Sequence, residues 1–178
     1  MFWYFIPMLL PESLNSMNHL AMHGEALGEN SNGIVDIGSK PLVEREAIAT
    51  GAISLSPKSI ESIQNNNSPK GDVRGASTIA AIQAVKETSR TLPHCHPLPI
   101  EGCSVDWEIE DTGLRCTVSV RTHWRTGVEM EALCGVSAGL LCAWDMLKPI
   151  ETDNNGQYPE VEISNIRVLR KKKSDPQV

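Results

Sequence analysis

The sequence predicts an α+β fold: a sandwich of helices packed on a mostly antiparallel sheet. Two observations carry that expectation. Apolar positions recur with period two in some segments and with a helical period in others, in the order strand, helices, hairpin, helix, strand. The turn Asp111-Thr112-Gly113 joins two strand-like segments so tightly that they must run antiparallel. With 178 residues, 40% of them hydrophobic, the chain is long enough to bury one core of ordinary size.

Each element has its own warrant. Residues 46–55 read as a strand in which Gly51 marks a bulge or bend. Ser56-Pro57 opens a short helix, with serine at the N-cap and proline in the first turn. Residues 72–89 form a second helix, its apolar contacts supplied by Val73, Ile79, Ala80, Ile82, Ala84 and Val85. Residues 104–110 alternate Val105, Trp107 and Ile109 with Asp106, Glu108 and Glu110, the pattern of a half-buried strand. The turn at 111–113 returns the chain along residues 114–122 as the second arm of a hairpin. A long helix starts at Thr126 or Gly127 and runs to about Lys148, where Pro149 ends it. Residues 161–169 form the last strand, and the outline is ferredoxin-like.

Charge and composition narrow the function. Sixteen Lys and Arg against 22 Asp and Glu give a formal charge of −6, which argues against a protein that coats nucleic acid. Four of the acids precede Lys40 and no base does, so the rest of the chain carries only −2. Its basic residues are available for an anionic small molecule. Five cysteines, an odd number without a C-x-x-C pair, read as reduced thiols of the cytoplasm. The apolar opening, residues 1–10, lacks a basic start, contains Pro7 and is too short to cross a bilayer. Residues 1–32 are expected to be a flexible leader, residues 33–173 the domain, and residues 174–178 a frayed tail. No later stretch reads as a membrane helix, so the expectation is a soluble, cytoplasmic protein without nucleic-acid or membrane partners.

The long helix carries the most geometry. Leu133, Val136, Leu140, Leu141, Trp144 and Leu147 fall on one stripe, the expected core face. The other side shows Gly135, Ala138, Gly139 and Cys142 between Glu131 and Asp145. Such a small face suits packing inside the monomer at least as well as contact with a second copy. Glu131 and Asp145 are 14 residues apart, roughly 21 Å along the axis. If both serve one small substrate, two antiparallel copies of the helix across a two-fold axis are the simplest arrangement. Asp145 and Lys148, three apart, are either an ordinary surface ion pair or an acid/base pair at a helix end.

Three blocks are more specific together than singly: Lys70-Gly71-Asp72-Val73; Pro93-His94-Cys95-His96-Pro97-Leu98; and Thr126-Gly127-Val128-Glu129-Met130-Glu131-Ala132-Leu133, followed by Trp144-Asp145-Met146-Leu147-Lys148. Their order and spacing closely resemble the molybdenum cofactor biosynthesis protein C family, the cyclic pyranopterin monophosphate synthases. Val35-Asp36-Ile37, Arg45-Glu46-Ala47 and Ile166-Arg167-Val168-Leu169 add to the likeness, which covers residues 33–173. The resemblance implies a ferredoxin-like sandwich assembled as a hexamer of dimers, with active sites at dimer interfaces. It implies a lyase that converts (8S)-3',8-cyclo-7,8-dihydroguanosine 5'-triphosphate to cyclic pyranopterin monophosphate, releasing pyrophosphate. No cofactor is implied, and Mg²⁺ only as a companion of the triphosphate.

By motif, Asp145, Lys148, Lys70 and His96 match the family's catalytic positions. His94, Cys95, His96, Met130 and Glu131 match its substrate-contacting stretches, and Glu129 and Arg45 are further pocket candidates. The residue types suit the chemistry: Asp145, Lys148 and His96 can exchange protons during ring rearrangement. Lys70, Lys148 and Arg45 can stabilise charge that develops as pyrophosphate leaves. The chain departs from the family at His94, usually Leu, and at His123-Trp124-Arg125, usually Thr-Gly-Lys. Trp124 in place of glycine is a candidate for narrowing the pocket or for marking a different interface. Arg170-Lys171-Lys172-Lys173 replaces a glycine-rich tail; Lys171 sits at a pocket position and the rest reads as solvated. Two other readings remain open: metal binding by His94-x-His96, which lacks the spacing of a structural zinc site, and a non-catalytic oligomeric scaffold.

Overall fold

The computed structural model describes residues 33–175. In chain order the elements are β1 (Val43–Ser54), α1 (Pro57–Gln64), α2 (Val73–Lys86), α3 (Thr88–Thr91), β2 (Gly102–Glu110), β3 (Gly113–Trp124), α4 (Glu129–Glu151) and β4 (Glu162–Lys173). The strands form one antiparallel sheet in the order β2-β3-β1-β4, the order of the ferredoxin-like sandwich expected. α2 and α4 pack against each other, with α4 over β1, β3 and β4 and α2 against β2. The core lies between, formed by Ala47, Ala49, Ile53, Leu114, Val118, Val120, Val136, Leu140 and Leu147, all nearly inaccessible.

Local chemistry explains the boundaries. Ser56 caps α1 by accepting from the Ser59 N–H, and Asp72 caps α2 by accepting from Gly75. The second helix stops earlier than its periodicity suggests, because the Thr88 hydroxyl bonds back to the carbonyls of Ala84 and Val85. Ile79 is 68% exposed, so it does not belong to the apolar contacts expected of α2. The hairpin turn is as predicted, and Gly113 is required there: a Cβ would collide with the Ile53 carbonyl of β1. The irregularity expected at Gly51 exists, but the additional residue is on β4: Thr50 pairs with Arg167 and Ala52 with Ser164, with Asn165 at φ 56°.

Four expectations about the C-terminal half need correction. α4 begins at Glu129 and runs through Pro149 to Glu151. Proline in the last turn costs a single intrahelical bond and leaves the preceding ladder intact. Arg170, Lys172 and Lys173 are exposed as expected, but together with Lys171 they form the end of β4 rather than a tail, the run pairing with Ile48, Ala47, Glu46 and Arg45 of β1. Leu141 is 59% exposed rather than part of the core. The small-residue face explains that rotation. At Gly135 a side chain would strike Val85 and Val118, and at Gly139 it would meet Trp107 and Ala81. The small face is therefore spent inside the monomer, which turns Leu141 outward. α4 is also long and apolar enough to cross a membrane by length and composition alone, contrary to expectation. Half of that stretch is buried against the sheet and α2, as in the central helix of a folded domain. The leader expected over residues 1–32 lies outside the described residues, as do 176–178; Ser174 is hydrogen-bonded to Glu44 through both its N–H and its hydroxyl.

Candidate active site

The predicted residues separate into two groups, one at each end of α4. At the C-terminal end, Asp145 and Lys148 lie one turn apart, and the Lys148 ammonium donates to Asp145 Oδ1 at 2.7 Å. Lys70 arrives from the loop before α2, which Gly71 turns with φ +93°. Its Nζ lies 2.9 Å from Asp145 Oδ2 and 2.8 Å from the Asp145 main-chain oxygen. One carboxylate thus sits between two ammoniums, and the group carries a net positive charge. Lys148 first, then Lys70, hold the Asp145 carboxyl down at about 2. Asp145 in turn pushes the Lys148 ammonium above its usual range. At neutral pH the trio offers donor protons and cationic charge, with a carboxylate that orients them.

At the N-terminal end, His94, Cys95, His96 and Leu98 face Thr126, Gly127, Glu129, Met130 and Glu131 across a cavity of about 330 Å³. Glu131 is only 4% exposed, and burial, followed by the neighbouring Glu129, raises its carboxyl. Burial, then Glu131 and Cys134, raises the Cys95 thiol. His94 Nδ1 lies 3.0 Å from the Gly33 carbonyl. The opening continues into a larger cavity of about 740 Å³ that shares Thr126, Gly127 and Glu129. Arg45 lines it, its Nη2 donating to the Arg125 carbonyl at 3.4 Å while Nε is buried without a partner. Lys171 reaches Glu129 at 3.2 Å. Arg125 clasps the carbonyls of Gly38 and Lys40. Six cations line this cavity against two carboxylates, Glu46 and Glu129.

The structure therefore brings Lys70, Asp145 and Lys148 together, and His94, Cys95, His96, Glu129, Met130 and Glu131 together with Arg45 alongside. It does not bring His96 to Asp145. Trp124 ends β3 opposite Val43 and lines neither cavity. Lys40, Arg125, Lys172 and Lys173 line the larger one and were missed as site residues. A run of like charges hides the two-residue alternation that would have identified the strand carrying the last two. Among the described residues, no three His, Cys, Asp or Glu side chains converge in a metal-binding group.

Fold and charge together define a ferredoxin-like domain with a cationic site at each end of its central helix. The chain belongs to the MoaC family, whose profile matches residues 34–174. A Sulfolobus acidocaldarius protein named probable cyclic pyranopterin monophosphate synthase is 50% identical over 141 residues, which cover 79% of this chain and 99% of the relative. A Methanothermobacter thermautotrophicus protein named probable cyclic pyranopterin monophosphate synthase accessory protein is 49% identical over 140 residues, 79% of this chain and 88% of the relative. A probable synthase of Natronomonas pharaonis is 40% identical over 159 residues, 89% and 96% of the two chains.

Proposed function

We propose that this chain is a cyclic pyranopterin monophosphate synthase. It converts (8S)-3',8-cyclo-7,8-dihydroguanosine 5'-triphosphate to cyclic pyranopterin monophosphate and pyrophosphate. The observation that carries this reading is the Asp145 carboxylate held between Lys70 and Lys148, on a chain whose relatives bear that name. Lys148 and Lys70 act as proton donors and stabilise the charge that develops as pyrophosphate departs, and Asp145 keeps both in place. His96 takes part in proton transfer. His94, Cys95, Met130, Glu131, Glu129 and Arg45 bind the substrate. The basic cavity beside them suits a triphosphate, with Mg²⁺ as its companion rather than a resident cofactor. A partner-binding scaffold has no use for a carboxylate between two ammoniums, and that alternative is not favoured.

The two groups lie too far apart on one helix to meet on one small molecule. The reading therefore includes a second copy, its α4 antiparallel to the first, so that each site combines one protomer's helix start with its partner's helix end. The exposed side of α4, with Leu141 between the two groups, supplies an apolar contact for that pairing. Three such dimers make the hexamer, which works in the cytoplasm. The test is incubation with the cyclic triphosphate intermediate, following cyclic pyranopterin and pyrophosphate together. Asp145→Asn and Lys148→Ala are expected to abolish turnover while the oligomer persists; near-normal turnover in either folded variant refutes the assignment.

A further inference from the structure

Pro149 sits inside α4, four residues after Asp145. In an unbroken helix the N–H of residue 149 would donate to the carbonyl of residue 145. Proline has no N–H, and its ring crowds the carbonyl four residues back. The Asp145 oxygen is therefore without its intrahelical donor, and a carbonyl in that position needs another. The Lys70 ammonium is that donor, at 2.8 Å, while a second of its protons reaches Oδ2 at 2.9 Å. The next contact shows the difference: the Lys148 carbonyl accepts from the Thr152 N–H and hydroxyl within the same helix end, and no lysine reaches it.

We propose that Pro149 is a positioning residue for the reaction: by withholding an N–H it opens the Asp145 main-chain carbonyl to Lys70. The lysine is then held at two oxygens of one residue. One anchor, the carbonyl, is part of the main chain and does not move when a substrate phosphate or proton transfer draws on the carboxylate. Lys70 stays in register with Lys148 throughout the cycle. This deepens the reading of Lys70 as a working cation and rests on it.

Two substitutions test the idea because they share one property and differ in another. Pro149→Ala and Pro149→Gly both restore the N–H, yet alanine is a much better helix former than glycine. Their melting temperatures should therefore differ, with the alanine variant at or above the wild type. In both, the restored N–H competes for the Asp145 carbonyl. Acylation of Lys70 by dilute acetic anhydride, read by mass spectrometry against exposed Lys58, should rise severalfold, with Lys148 unchanged. In both, kcat should fall roughly ten- to a hundredfold with little change in KM. Unchanged Lys70 acylation overturns the proposal, and so does a kcat that follows melting temperature rather than the N–H. A wild-type chain that does not turn over the intermediate would defeat the functional reading instead, while the acylation still reports on Pro149 and Lys70.

Discussion

If each site is shared between protomers, two dead variants should rescue each other. His96→Ala damages the group at the start of α4 and Asp145→Asn the group at its end, which are separated along the helix by roughly 21 Å at 1.5 Å per residue. Neither residue belongs to the buried core, so both variants should fold. In a dimer of one variant with the other, one site receives both lesions and the second receives neither. Random mixing in equal amounts makes about half of the dimers mixed, so about a quarter of wild-type turnover should return. The assay is pyrophosphate release from the cyclic triphosphate intermediate after the variants are co-expressed or exchanged. Native mass spectrometry counts the mixed dimers independently. A site confined to one chain gives no recovery at any ratio. With an active wild type, mixed dimers present at the expected level without activity would therefore refute the shared-site argument.

Other consequences are simpler to measure. Asp145 should titrate near 2 by carbon NMR and move toward the ordinary carboxylate range in Lys148→Ala, because Lys148 is the larger cause of its depression. A depressed carboxyl stabilises the fold above its unfolded value near 3.9 and loses that contribution as pH falls through about 2. Wild type and Asp145→Asn should thus differ in stability above about pH 4 and converge below 2. Gly135→Val forces a branched side chain against Val85 and Val118. It should cost about 1–3 kcal/mol and lower the melting temperature by roughly 3–10 °C for a chain of this size. Leu141→Glu, on the exposed side of the same helix, should leave the monomer's melting little changed but shift sedimentation toward smaller species.

The elements were readable in the sequence because their signals are local: a serine cap before Pro57, an aspartate cap before Val73, alternation from Val105 to Ile109, and a tight turn at Asp111-Thr112-Gly113. What escaped depends on packing between elements. A helical wheel cannot tell which of two apolar-compatible faces meets the sheet when a small face is also buried, so it points Leu141 inward although Gly135 and Gly139 take the contact with α2. The length of β4 escaped because its last residues are all cationic and gain their strand conformation from pairing with β1. The site residues were legible through their resemblance to a family. Their division into two groups followed from spacing alone, since a 14-residue separation on a helix is a distance.

Using the core helix as the site's ruler has a mechanical consequence. The apolar residues that fix α4 against the sheet, Val136, Leu140 and Ala143 between the two groups of polar residues and Leu147 within the second, are fully buried. Neither group can shift along the axis without disturbing that packing, and interiors packed to crystal density resist such shifts. Asp145 and Lys148 are thus held by the same contacts that hold the fold, although their own side chains are open to solvent. Lys70 is the exception, delivered by a loop rather than by the core. It is also the residue with a second, main-chain anchor at Asp145. A loop-borne cation acquires the precision of the helix by bonding to the helix backbone, and before its last turn an α-helix offers a backbone oxygen most freely where the N–H four residues on is missing.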